Sequence, residues 1–277
     1  MKLIKPSVEI IKQEEYDLNH IFKFIELAGR TCYKSEDKIT EDSAKEFVDR
    51  MIKSGHGAML EHGTIYLTIP VSDISNPIIY KYILNSYSKI FIDFTNSYIT
   101  TNYRVLIENN WLDDLKYLCE PTTFHTKRTT VKFICDRGVS HEFVRHRVFS
   151  FAQESTRYCN YSKDKFNNEL TFIIPCWIKN LKEGNYYAYC EYHHTETDPC
   201  KEWFAACMNA EHVYIELIKK GWKPQEARTI LPNSLKTELI MTGFNDDWEN
   251  FFELRCAPNA HPQAKELADM LKDKFNK

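Results

Sequence analysis

Apolar residues recur at helical spacing in the first fifth of the chain. Leu18, Ile21, Phe22, Ile25 and Ala28 predict one helix, with Gly29 near its end. Ala44, Phe47, Val48, Met51 and Ile52 form the stripe of a second, stopped by Gly55. Ser43 with Glu46 reads as a capping box, with Thr40 as the alternative cap. The period then changes to two. Ile65, Leu67, Ile69 and Val71 alternate as a strand, and so do Val131, Phe133 and Cys135, which lead into a helix capped by Asp136 or Ser140. Residues 8–11, 170–174 and 237–242 are further strand candidates. Asp198 and Pro199 start a long helix with Trp203, Cys207, Ala210, Tyr214 and Leu217 on its buried stripe and Gly221 past its end. A short helix is framed by Pro224 and Pro232. Asp246 or Asp247 caps a helix bearing Trp248, Phe251 and Phe252, and 262–275 closes the chain as an amphipathic helix.

Residues 72–130 interrupt this order. The stretch is rich in Tyr, Asn and Ile, poor in Gly, and turns at Asn76-Pro77 and Glu120-Pro121, with helices expected near 78–84 and 110–118. It has no linker composition or repeat, so residues 1–277 read as a single domain with an insertion at about 72–130.

Composition narrows the class. The chain has 277 residues, 43% hydrophobic, enough for a sizeable core, and no apolar run nears the roughly 20 residues that span a bilayer. The first 13 residues lack the apolar core of a signal peptide. Nine cysteines, an odd number without a Cys-x-x-Cys pair, fit a reduced, cytoplasmic protein. A net charge of −3 argues against a nucleic-acid binder.

Positive charge is instead local. Arg145-His146-Arg147-Val148-Phe149-Ser150-Phe151-Ala152-Gln153-Glu154-Ser155-Thr156-Arg157-Tyr158 packs three guanidinium forks and two serine hydroxyls, the donor types that match phosphate, into one stretch. Arg145 and Arg147 cannot share a helical face, so a helix ending near Arg147 is expected, then a turn, then a strand carrying Ser155 and Arg157. A solvated basic turn is the plainer alternative, opposed by the interleaved apolar residues. His56, Glu61 and His62 follow the second helix; they suggest a metal site, but lack the spacing of a zinc pair. Arg255 falls on the aromatic face of its helix and needs a partner, either a carboxylate of the fold or a ligand.

The order Arg-His-Arg, two residues, Ser, four residues, Ser, one residue, Arg-Tyr resembles the signature of the flavin-dependent thymidylate synthases. Glu226-Ala227-Arg228 with Ile230-Leu231-Pro232, and Phe251 to Arg255 with Ala260-His261, resemble that family's C-terminal blocks. The likeness runs from about His56 to Ala268, interrupted by the insertion.

The resemblance implies an α+β fold, a mixed, largely antiparallel sheet with flanking helices, in a homotetramer whose active sites are shared between subunits. It implies reductive methylation of dUMP to dTMP, with methylenetetrahydrofolate as carbon donor and NADPH supplying hydride through FAD. Carried over, Glu142, Arg145, Gln153, Glu154, Ser155, Thr156, Arg157, Arg228 and Arg255 form the dUMP site, with Ser155 and Arg157 at the phosphate and Arg255 catalytic at the pyrimidine. Ser150 supports the turn. FAD would be held by His56, Ala58, Glu61, Arg145, His146, Arg147, Val148, Gln153, Asn245 and Asn250. Two positions depart: Ala58 stands where Thr is frequent, and Phe244-Asn245-Asp246 replaces Asn-x-Arg. No metal and no thiolate nucleophile are implied. A metal-dependent nucleotide hydrolase and a phosphate- or RNA-binding protein are the alternatives from other classes.

Overall fold

The computed structural model describes residues 1–71, 77–187 and 199–276. In chain order these form β1 (Lys2–Ile4), β2 (Ser7–Ile11), α1 (Leu18–Tyr33), α2 (Ser43–Lys53) and β3 (Thr64–Pro70). Then come α3 (Pro77–Ile83), β4 (Lys89–Ile92), β5 (Asn96–Asn102), α4 (Tyr103–Glu108), β6 (Arg128–Asp136), α5 (Arg137–Phe143) and β7 (Ser150–Gln153). The last elements are β8 (Thr171–Ile173), β9 (Gly184–Asn185), α6 (Pro199–Lys219), α7 (Pro224–Ala227), β10 (Lys236–Phe244), α8 (Asn245–Arg255) and α9 (Pro262–Phe275).

The mixed, largely antiparallel α+β arrangement is present, distributed over three sheets among the described residues. The sheet that positions the signature runs β2-β6-β10-β7, all antiparallel. β6 and β10 pair from Arg128↔Phe244 to Asp136↔Lys236. Because side chains alternate, Val131, Phe133, Cys135, Leu239 and Met241 share one face, buried under Trp248 and Phe251 of α8 and Leu267 and Leu271 of α9. The opposite face carries Thr130, Lys132, Glu238, Ile240 and Thr242. It is covered as well, by α1 and the residues 57–62. A polar sheet face is therefore enclosed, and its groups must find partners.

In the second sheet β5 pairs along all of β3, Thr64↔Asn102 to Pro70↔Asn96, with β4 outside β5. β5 comes from the 72–130 stretch, which also buries Tyr82, Tyr103 and Leu106 in the core shared with α1 and α2. The third sheet sets β1 parallel to β8 and antiparallel to β9, over Phe204, Cys207 and Tyr214 of α6.

Several expectations change. α1 continues through Gly29 and stops at Lys34, left-handed at φ 48°. Gly29 is there for close approach: a Cβ would lie 2.3 Å from Cζ of Phe47, itself 2% exposed. Gly29→Ala is expected to destabilise by about 1–2 kcal/mol, overpacking outweighing a helix-propensity gain of about 1 kcal/mol. A urea midpoint equal to or above that of the parent would contradict the close-packing account. Ser43 does not close a box with Glu46: its Oγ accepts from the Thr40 amide at 2.9 Å and donates to Glu26 at 2.8 Å. Asp136, not Ser140, caps α5, accepting from the Val139 amide at 2.7 Å. α8 begins at Asn245 with no side-chain cap, so Asp246 and Asp247 lie in its first turn. Residues 112–117 are a 3-10 turn, and α4, β4 and β5 were not anticipated. The Asp198 cap, Asn76 and Cys190 lie outside the described residues.

Candidate functional site

The signature straddles the four-stranded sheet. α5 ends at Phe143, four residues before Arg147. The chain then turns through Arg145–Val148, with the His146 amide donating to the Phe143 carbonyl at 3.1 Å and the Phe149 amide to His146 at 3.1 Å. β7 pairs with β10 only from Ser150↔Thr242 to Gln153↔Leu239. Ser155 and Arg157 are therefore in a turn, not on the expected strand. The reason is a change of partner. The Glu154 amide still bonds Glu238 of β10 at 2.8 Å, but the Ser155 amide donates to the Cys32 carbonyl at the end of α1 at 3.0 Å, which draws the chain off the sheet.

Two groups of functional candidates result. In the first, Arg255 at the end of α8 reaches α5: Nη1 donates to Glu142 Oε2 at 2.5 Å, Nη2 to the Glu142 carbonyl at 2.6 Å, and Nε to His146 Nε2 at 2.9 Å. Arg255 thus has an internal carboxylate partner, the plainer of the two readings of its aromatic face. Since Arg Nε can only donate, His146 must carry its proton on Nδ1. Burial, reinforced by the Arg255 charge, pushes the imidazole down to about 4 and keeps it neutral. Its ring packs 5.0 Å from that of Phe251.

The second group gathers at the end of α1. The Arg157 guanidinium lies 5.2 Å from the Tyr158 ring, which meets Tyr33 at 5.4 Å. The Tyr33 hydroxyl bonds His56 Nδ1 at 3.1 Å. Arg228, just after α7, donates to Thr156 Oγ1 at 3.4 Å, so residues 72 positions apart meet beside Ser155. Arg145, Arg147, Arg157 and Arg228 are all exposed, and none has a carboxylate partner among the described residues. Val148 is exposed beside them.

Other candidates are engaged elsewhere. Glu154 is 2% exposed, accepting from Tyr161 at 2.9 Å and Lys236 at 2.8 Å. Gln153 donates to Ser140 Oγ at 2.8 Å and Thr237 Oγ1 at 3.3 Å. Asn245 accepts from Thr129 at 2.7 Å, and Asn250 is exposed on α8; among the described residues neither side chain hydrogen-bonds to the signature. Ala58 packs against the core shared by α1 and α2. Glu61 pairs with Arg104 at 2.6 Å, while His62 is fully buried with Nδ1 on Thr242 at 2.8 Å. His56, Glu61 and His62 therefore face separate partners and do not converge as metal ligands.

Residues that the sequence reading missed hold this arrangement together. Arg128 donates to the Glu61 carbonyl at 3.0 Å, Thr64 Oγ1 at 3.2 Å and Ser150 Oγ at 3.4 Å, tying the His56–Glu61 segment to the signature strand. Burial lowers its guanidinium to about 10, and burial with the Arg128 charge keeps His62 neutral at about 3. Burial alone would raise the Glu238 carboxyl, but Lys236, Lys34 and Lys132 hold it well below the usual carboxylate range. Its ion pairs with Lys34 and Lys132, at 2.8 and 2.7 Å, tie α1 to the sheet. Only the phase of Arg128 and Lys132 within the alternating run of β6 hinted at inward polar groups.

The profile of the family described as thymidylate synthase complementing protein matches residues 84–277. The chain belongs to that family. The matched region includes the signature, Arg228 and Arg255, and begins after His56, Ala58 and Glu61. A flavin-dependent thymidylate synthase from Pyrococcus furiosus is 33% identical over 134 residues, 48% of this chain and 48% of its own length. One from Geobacter sulfurreducens is 30% identical over 133 residues, 48% of this chain and 49% of its own. These alignments span about half the length of the relatives. A third, from Corynebacterium aurimucosum, is 22% identical over 251 residues, 88% of this chain and 71% of its own. A solved UMP/dUMP methylase, PolB from Streptomyces cacaoi bound with 5-Br UMP, superposes with TM-score 0.46 at 15% identity, covering 99% of this chain and 91% of its own. Within the described residues of this family member no helix is long and apolar enough to cross a membrane.

Proposed function

We propose that the chain is a flavin-dependent thymidylate synthase, converting dUMP to dTMP with methylenetetrahydrofolate as carbon donor and NADPH as the source of hydride. The observation that carries this reading is the set of four exposed arginines without carboxylate partners among the described residues, Arg145, Arg147 and Arg157 along the signature and Arg228 beside it at Thr156. Forked donors left open in this way suit the phosphate of a nucleotide and the pyrophosphate of a dinucleotide.

The donor set fits FAD on the same chemistry. Arg145, His146, Arg147, Val148 and Gln153 would hold it with His56, Ala58 and Glu61, and with Asn245 and Asn250 from α8. FAD, when bound, supplies hydride transfer. The protein's own part is binding and charge placement. Ser155 and Arg157 take the dUMP phosphate beside Arg228, while Gln153, Glu154, Thr156, Arg145 and Glu142 shape the rest of its site. Arg255 is the catalytic residue, its guanidinium stabilising negative charge that develops on the pyrimidine as C5 becomes nucleophilic. No thiolate is needed: burial pushes Cys159, next to the signature, up to about 12. The reading extends to a cytoplasmic homotetramer with active sites shared between subunits, and to a single domain over residues 1–277 with 72–130 as its insertion.

Release of a flavin chromophore on denaturation, or its recovery on adding FAD, tests the assignment; a colourless protein that binds no FAD rejects it. Ser155→Ala separates the two nucleotides. It is expected to weaken dUMP binding by about 1–3 kcal/mol, the cost of a lost charge-assisted hydrogen bond, with FAD affinity nearly unaltered. Equal damage to both, measured by titration, would reject the division of roles.

A further inference from the structure

Between α1, α2 and the loop bearing Lys163 and Lys165 lies an open cavity of about 480 Å³. Its floor is Phe47, with the guanidinium groups of Arg30 and Arg50 at 4.9 and 5.5 Å from the ring centre. Arg30 is taken up by Glu26, at 2.9 Å. The other cations are largely open. Lys38 and Lys163 have no carboxylate partner among the described residues, and Lys165 donates to the Lys34 carbonyl at 2.7 Å. Arg50 is 52% exposed, its ion pair with Glu46 stretched to 3.9 Å. Among the described residues only one carboxylate, Asp37, lines the cavity, on a chain whose net charge is −3. One wall leads back to the signature. Tyr33 lines the cavity, bonds His56 and packs on Tyr158.

We propose that this cavity binds the carboxylates of an oligo-γ-glutamyl chain joined to a planar aromatic ring, the tail of a folate. The proposal rests on the thymidylate synthase reading and says where its carbon donor is anchored. Separate, hydrated, flexible cations suit several carboxylates spaced along a chain better than one dehydrated anion. The Tyr33–Tyr158 pair, at the end nearest His56, offers the aromatic surface for the ring. Lys38, Arg50 and Lys163 then set the preference for longer tails without touching the reacting atoms.

The test is an equilibrium titration of the purified protein at low salt with p-aminobenzoyl-glutamate and p-aminobenzoyl-triglutamate. The triglutamate is expected to bind about tenfold tighter, the order given by a few exposed ion pairs, and the gain should shrink in high salt. In the triple variant Lys38→Gln, Arg50→Gln, Lys163→Gln the gain should vanish, with the monoglutamate affinity unchanged. Each single variant, removing part of the gain, replaces the triple one should it fail to fold. Equal affinity for the two probes overturns the proposal, as does a gain that survives the substitutions. Tighter binding of 2′,5′-ADP, lost in the same variant, also overturns it and assigns the cavity to a pyridine nucleotide. Because binding needs no turnover, length-dependent affinity in a protein that forms no dTMP supports the proposal and rejects only the synthase reading. Turnover without length dependence rejects only the proposal.

Discussion

Arg255→Ala is expected to lower dUMP-dependent methyl transfer by about 10²–10³, the loss measured when one preorganised donor to a developing charge is removed. NADPH oxidation by the flavin-loaded protein without dUMP should persist. The geometry adds a second expectation. Both terminal nitrogens of Arg255 already bond Glu142, and Nε bonds His146, so truncation leaves a carboxylate and an imidazole without their donor. The Arg255 and Glu142 side chains are 16% and 32% exposed, so water compensates in part and the stability loss should stay near 1–2 kcal/mol. That corresponds to a melting decrease of a few degrees. Arg255→Lys should not restore turnover, because an ammonium cannot reproduce the planar fork. Thermal melting and the two half-reactions on one preparation decide the matter. A large melting loss with dTMP formation per folded molecule intact would make Arg255 a structural residue only.

Trp248→Ala is expected to be the most damaging single substitution for stability, at about 3–5 kcal/mol. Trp248 is fully buried, with ring centres of Phe149, Phe251 and Phe275 at 4.5, 5.3 and 5.7 Å. Its indole N–H donates to the Thr129 carbonyl at 3.2 Å, so truncation also strips an acceptor of its partner. Trp248 fastens α8 to the sheet that carries the signature, and α8 carries Arg255. Surviving folded protein should therefore show a further loss in methyl transfer beyond the stability effect. Urea unfolding with a loss under about 1 kcal/mol would show that the aromatic cluster closes over the gap.

The elements that were legible in advance are those with one buried face. α2, α9 and β6 show their period because the other face meets water or a second class of residue; of the expected stripe Ala44, Phe47, Val48 and Met51 are buried, while Ile52 at its edge is exposed. β3 and β5 are enclosed on both sides; β3 still alternates at Ile65, Leu67 and Ile69 and was legible, whereas β5, Asn-Ser-Tyr-Ile-Thr-Thr-Asn, shows no useful alternation. The signature could be recognised as a chemical constellation, but its conformation could not. What ends β7 at Gln153 is a bond from Ser155 to Cys32, more than a hundred residues earlier, and no local pattern encodes it. The same holds for Arg255: helical spacing placed it on the aromatic face, while its partner Glu142 lies 113 residues away. Arg128 and the lysines around Glu238 left no more than a hint in the phase of β6, for a different reason. Charged residues in a strand are read as solvent-facing, and here they line an enclosed polar face, where Glu238 is held by Lys34, Lys132 and Lys236 and Arg128 by the neutral oxygens of Glu61, Thr64 and Ser150.

The bond from the Ser155 amide to the Cys32 carbonyl makes the turn that carries Ser155 and Arg157 and the last turn of α1 one opening unit. Neither can fray alone, because the Lys34 and Ser35 amides close that helix end onto Thr31 and Arg30 while Lys34 Nζ is fixed to Glu238. In amide hydrogen exchange, Ser155, Lys34 and Ser35 should therefore share a common opening free energy, set apart from the signature's Arg145–Val148 turn. An anion held at Ser155 and Arg157, as proposed, would slow exchange at the end of α1, so occupancy of the proposed nucleotide site becomes readable on the helix end that packs against it.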